Sequence, residues 1–162
     1  MFTRRQTFFA TAAFGLAMAA PAMAGPGASH ALNANADGVM LKGYDPVAYF
    51  TEDAPVKGSD DITAAHQGVT YHFASAENRE VFNSDPDKYV PAYGGYCAMG
   101  AAMGIKLDTK PGLFRVVDGT LYLNTAEGPQ KKWLSDVPGH IKQADKKWAR
   151  IREIPADELE PN

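Results

Sequence analysis

The sequence predicts a small single α+β domain made of short antiparallel hairpins and three to four short helices. Three observations carry that expectation. Two stretches of alternating apolar residues fold back about a turn dipeptide, one at Gln67-Gly68 and one at Asp118-Gly119. A helix-start signal follows each hairpin, Ser75 after the first and Pro129 after the second. Strands and helices alternate without a strand–helix–strand rhythm, which argues against a parallel sheet. The chain reads without an internal repeat or a long low-complexity tract.

The first 24 residues read as a signal peptide: Arg4-Arg5, an apolar stretch from Phe8 to Ala20, and the small-x-small site Ala22-Met23-Ala24. The arginine pair resembles a twin-arginine signal, with Thr7 where that signal usually carries phenylalanine. An ordinary secretory peptide is the alternative, and either delivers the chain to a periplasm. No cysteine stands near the cleavage site to carry a lipid anchor. No later apolar run has the length of a membrane span. Residues 25–38, rich in Gly, Ala and Asn, read as a flexible tether, 39–152 as the domain, and 153–162 as an acidic, frayed tail. With 19 acidic residues against 16 basic ones, the chain has no basic stripe to attract nucleic acid. One domain of this length buries enough surface to need no disulfide or structural metal.

Taken in order, Gly43-Tyr44-Asp45-Pro46-Val47-Ala48-Tyr49-Phe50 mixes turn residues with aromatics and favours no one element. Ile62 to Phe73 reads as two strands about Gln67-Gly68, which pairs His66 with Val69 and Thr63 with His72. Ser75 caps a helix through about Asn83, with Glu77 favourably placed in its first turn. Asp85-Pro86 starts a second turn that must stop before Pro91. Leu113–Val117 and Thr120–Asn124 form the second hairpin. A helix at 129–136 follows, broken by Pro138-Gly139. The final helix aligns Ile141, Ala144, Trp148 and Ile151 on one face.

Several of these segments, in this order and at natural spacing, resemble the YHS (TRASH-like) domain family, and most closely its exported subgroup. They are the Gly43–Phe50 segment, Tyr71-His72-Phe73-Ala74-Ser75 with Ala76-Glu77-Asn78-Arg79, and the Asp85-Pro86-x-Lys88-Tyr89 turn. The resemblance continues through Tyr93-Gly94-Gly95-Tyr96-Cys97-Ala98, Val117-Asp118-Gly119-x-Leu121-Tyr122-Leu123-Asn124, and Lys132-Trp133 ahead of Asp136-x-Pro138-Gly139. Other members of the family resemble small cysteine-ligated metal modules. Their three cysteine positions fall here on Ala48, Ala74 and Asn78, and alanine offers a soft metal no donor.

The soft donors that remain are Cys97, the only cysteine, with Met99 and Met103 close by. Thiolate and thioether suit copper(I), so a copper site at Cys97, assisted by Met99, Met103 or His72, is the leading expectation. On a helix Met99 and Met103 share a face and Cys97 does not, so convergence requires Cys97 to sit in a turn before that helix. Packing within an Ala/Gly segment is the alternative for the methionines, and burial is the alternative for the thiol. Without a second cysteine in a Cys-x-x-Cys pair, self-contained disulfide exchange is excluded. Thiol redox chemistry with an external partner stays open. His72 is the best placed of the four histidines, and a hydrogen-bonded structural role is its alternative. No nucleophile elbow, zinc-protease motif, phosphate loop or dinucleotide fingerprint is present in the sequence, so no enzyme is expected. The second functional expectation is an interaction or small-ligand module that uses a Tyr/Gly-rich surface with Tyr71, Tyr93 and Tyr96.

Overall fold

The computed structural model describes residues 29–159. The expected signal peptide, residues 25–28 of the expected tether and the last three residues of the tail lie outside the described residues. The fold is the expected small α+β domain, with two separate antiparallel two-stranded sheets and six α-helices among the described residues. Two of those helices are single turns: α3 (Pro86–Tyr89) is the turn that Asp85-Pro86 predicts, and α1 (Ala48–Thr51) is too short for a sequence period to reveal.

The first hairpin pairs β1 (Ser59–His66) with β2 (Val69–Phe73) in the expected register, His66 opposite Val69 and Thr63 opposite His72. Gln67 (φ 52°) and Gly68 (φ 80°) form its turn, both left-handed as a two-residue hairpin turn requires. On β2, Val69, Tyr71 and Phe73 are buried while Thr70 and His72 are half-exposed, so one face of the strand forms core. The helix α2 (Ala76–Ser84) starts where Ser75 Oγ accepts from the Asn78 N–H at 3.1 Å. Its one buried residue, Phe82, stacks on Tyr71 and Phe73.

The second half continues with α4 (Ala98–Met103), β3 (Phe114–Val117), β4 (Thr120–Leu123), α5 (Glu127–Leu134) and α6 (Val137–Ile151). Pro138-Gly139 does not break a helix as expected; it opens α6. Proline in a first turn lacks only an N–H that would have had no partner, and Asp136 caps the turn by accepting from the Gly139 N–H at 3.1 Å. A β-carbon on Gly139 would collide with that carboxylate, which explains the glycine. Ala144 and Ile151 are buried and Ile141 and Trp148 half-buried, as the helical spacing predicts.

Contrary to the expectation of no repeat, the two halves repeat one order: a 3₁₀ turn, a short helix, an antiparallel hairpin and two helices. The backbone repeats with it. Leu41, Lys42 and Gly43 have φ of 53°, 54° and 77°, and Tyr93, Gly94 and Gly95 have 53°, 58° and 83°. The hairpin turns match, Gln67-Gly68 with Asp118 (φ 50°) and Gly119 (φ 76°). So do the residues ahead of the last helix of each half, Asp85 (φ −158°, ψ 75°) and Asp136 (φ −155°, ψ 72°). Tyr71 and Tyr122, and the fully buried Phe82 and Trp133, occupy equivalent places.

Two apolar clusters follow from this arrangement. One gathers Met40, Val47, Tyr49, Phe73 and Phe82 of the first half with Leu121 and Leu123 of β4. The other lies within the second half, around Cys97, Tyr122, Trp133 and Ala144. From Ser29 on, the expected tether is docked as a strap. The Asn33 N–H donates to Gly94 O at 2.8 Å, and Asn33 Nδ2 donates to Gly95 O at 3.1 Å and Asp108 Oδ1 at 3.0 Å. The left-handed turn at Tyr93-Gly94 directs these carbonyls outward, and the asparagine-bearing strap supplies their donors.

Candidate functional site

The four expected metal donors are placed in three different settings. Cys97 does sit in a turn just before a helix, as the N-cap of α4, and it is fully buried. Its Sγ accepts from the Gly100 N–H at 3.4 Å and donates to Asn124 Oδ1 at 3.5 Å. Asn124 Oδ1 also accepts from the Met99 N–H at 3.4 Å, so the thiol belongs to a capping network at the start of α4. Met99 is buried in the same cluster, whereas Met103 is 54% exposed. His72 lies on β2 in a groove of about 400 Å³ with Asn35, Lys42, Gly43, Lys57 and Asp60. Among the described residues no three His, Cys, Asp or Glu side chains converge as a metal site.

The repeat supplies a reason for the buried thiol. Asp45 holds the place in the first half that Cys97 holds in the second, each one residue past the paired Gly-Tyr. Asp45 is also fully buried. Its Oδ1 accepts from the N–H groups of Val47 (2.8 Å) and Ala48 (3.3 Å), and its Oδ2 from Ala74 N–H (2.8 Å) and Asn78 Nδ2 (2.7 Å). Both side chains accept from backbone N–H groups ahead of them and tie a short helix to the hairpin or helix beyond it. Ala48, Ala74 and Asn78, far apart in the sequence, all meet at the Asp45 carboxylate. Sequence alone reads Asp45 as a turn-former and does not show this convergence.

Cys97 is therefore expected to behave as a core thiol. Ellman's reagent should modify it in native buffer no faster than the chain unfolds, with the rate climbing in urea. Stoichiometric modification within seconds in native buffer would contradict the placement.

His72 is set between charges. Burial lowers its pKa from the ordinary 6.5, Lys57 lowers it further, and Asp60 opposes them. A β-carbon on Gly43 would stand 3.2 Å from His72 Nδ1 and 3.3 Å from Lys57 Nζ, so this glycine keeps room for both groups. Between its lowered folded pKa and 6.5 the unfolded chain binds the extra proton. Stability should thus be fully present above 6.5 and fall as pH drops through that window. His72→Asn should flatten this part of a urea-midpoint profile; an unchanged slope would exclude His72 as its source.

The three tyrosines expected on a partner surface are used differently. Tyr93 Oη donates to Asp145 Oδ1 at 2.9 Å, and Tyr96 Oη donates to Leu32 O at 3.5 Å. Tyr71 is 1% exposed, and its hydroxyl has no partner among the described residues. Burial alone pushes its pKa well above the ordinary phenol value, so it stays a protonated donor. It lines a cavity of about 260 Å³ at the junction of the two halves. Met40, Gln67 and Val90 come to this cavity from the first half, Gly94 and Trp148 from the second. The strap closes one side with Ala31 and Leu32.

The strap is locked by a residue the sequence does not single out. Lys106 is 2% exposed, and its ammonium donates to His30 O (2.7 Å), Arg152 O (2.7 Å) and Ile154 O (2.6 Å). It also lies over the rings of Tyr96 (5.3 Å) and Trp148 (5.4 Å). Burial lowers its pKa from the ordinary lysine value, and Glu153 opposes that. One side chain thereby joins the strap, the end of α6 and the glycine-rich segment around the cavity.

No family model matches this chain, and no curated protein or solved structure matches it either.

Proposed function

We propose that this chain is an exported, non-catalytic binding module of the YHS-like kind whose small ligand occupies the cavity between its two halves. The observation that carries the reading is the cavity itself, walled by Met40, Tyr71 and Val90 of the first half, by Gly94 and Trp148 of the second, and by Ala31 and Leu32 of the docked strap. Cavities at the junction of two structural units are also common ligand sites. The meeting of Ala48, Ala74 and Asn78 at one carboxylate supports the YHS-like kinship, because residues far apart in sequence come together where the resemblance requires. The signal-like N-terminus supports export. The copper reading of Cys97 gains no converging donors from the geometry, so the Tyr/Gly-rich ligand module is the better supported of the two.

Benzamide, a neutral ring with a carbonyl acceptor, tests the reading. Titrating it into the 15N-labelled protein should move the amides of Tyr71 and Gly94 and the Trp148 indole. The absence of any shift around the cavity at millimolar benzamide would sink the proposal.

A further inference from the structure

The cavity's charged surroundings are one-sided. Arg152 is the one charged side chain lining it among the described residues. Its Nε donates to Glu153 Oε1 at 3.1 Å, and its two terminal nitrogens have no partner among the described residues. Behind the Trp148 wall stands the Lys106 ammonium, whose three protons all go to carbonyl oxygens and none to a carboxylate. Glu153 is the acidic group nearest these cations. It is exposed, and it is already engaged by Arg152 Nε and Ser29 Oγ (3.0 Å). Two cations thus stand beside one occupied carboxylate, and the nearer one, Arg152, lines the cavity with a side chain 58% exposed and terminal nitrogens unpaired among the described residues.

The remaining walls are apolar, with Leu32, Met40, Val90 and Pro91 around the Trp148 ring. Tyr71 also lines this wall, with its hydroxyl shut away from solvent. A carboxylate matches the planar fork of a guanidinium, and a ring or short hydrocarbon body matches the rest.

Resting on the ligand-cavity reading above, we infer that the ligand is a small organic acid: its carboxylate meets Arg152 and its apolar body lies against Trp148.

The experiment compares benzoate with benzamide, matched in shape and differing in charge, by following the Trp148 indole and Tyr71 amide signals of the full chain at low salt. Benzoate is expected to bind at least tenfold more tightly than benzamide. Arg152→Gln should bring the benzoate-to-benzamide affinity ratio, measured within the variant, from at least tenfold to below about twofold. The Arg152 backbone carbonyl, which Lys106 holds, is retained in this variant. Raising salt should weaken benzoate alone. Equal affinity for the two compounds, or a preference that survives Arg152→Gln, would overturn the organic-acid assignment while leaving a neutral-ligand cavity standing. Binding of neither compound would instead count against the cavity reading itself.

Discussion

Replacing Asp45 by alanine is expected to cost about 4 kcal/mol of folding stability, a large share of the 5–15 kcal/mol typical of a domain. The carboxylate is fully buried and accepts four hydrogen bonds, three from backbone N–H groups and one from Asn78. Alanine would strand all four donors in the interior, where each unmade bond costs on the order of 1–3 kcal/mol, softened by local relaxation. Asp45→Asn keeps the shape but turns an amide N–H₂ toward at least one donor, so about half of that loss is expected. Urea unfolding of the three proteins, compared at constant slope, measures both steps. A loss below about 1 kcal/mol for Asp45→Ala would show that water already satisfies these groups.

Lys106→Met should be nearly as damaging, at about 3 kcal/mol, but its effect should be local first. Methionine fills the volume and removes the charge, leaving the carbonyls of His30, Arg152 and Ile154 without their common donor. Lys106→Arg should not rescue it, because three carbonyls around one ammonium suit a point donor rather than a planar fork. Amide exchange separates local from global loss. The Asn33 N–H, bound to Gly94 O, should exchange far faster in the variant, while β1 and β2 lose only what the global stability loses. Uniform acceleration across the chain would mean that the strap has no separate stability. Benzamide binding should weaken in the same variant, since Ala31 and Leu32 of the strap wall the cavity.

Much of the fold is legible in the residues. Asp118-Gly119 marks one hairpin turn because that pair accepts two left-handed residues readily, and at Gln67-Gly68 the glycine between two alternating apolar runs marks the other. Ser75 marks α2 through a cap that the structure retains. The duplication is legible only afterwards. Gly43-Tyr44 recurs as Gly95-Tyr96, Ser84-Asp85 recurs as Ser135-Asp136, and Tyr71 answers to Tyr122. Between these points the side chains diverge, with Asp45 where the other half has Cys97 and His72 where it has Leu123. Backbone conformation is held by a few turn and cap residues, so two sequences can lose their likeness and keep one architecture.

The candidate site was less legible for a different reason. A cysteine among methionines suggests ligands by residue type, but its chemistry depends on burial, and Cys97 is fully enclosed. Lys106 binds main-chain oxygens, which leave no trace in residue identity. Tyr71 is one of seven tyrosines, and only its surroundings distinguish it.

The Lys106 clamp also bears on the order in which the protein is made. Its ammonium reaches a carbonyl 76 residues upstream and others 46 and 48 residues downstream. A nascent chain can close the first hairpin and its helices early, from local contacts. The cavity needs the strap, α6 and the residues just after it together, so it comes into existence only when synthesis is nearly finished. A chain stopped before α6 could assemble the first cluster, once Leu121 and Leu123 of β4 have been made, but not the cavity.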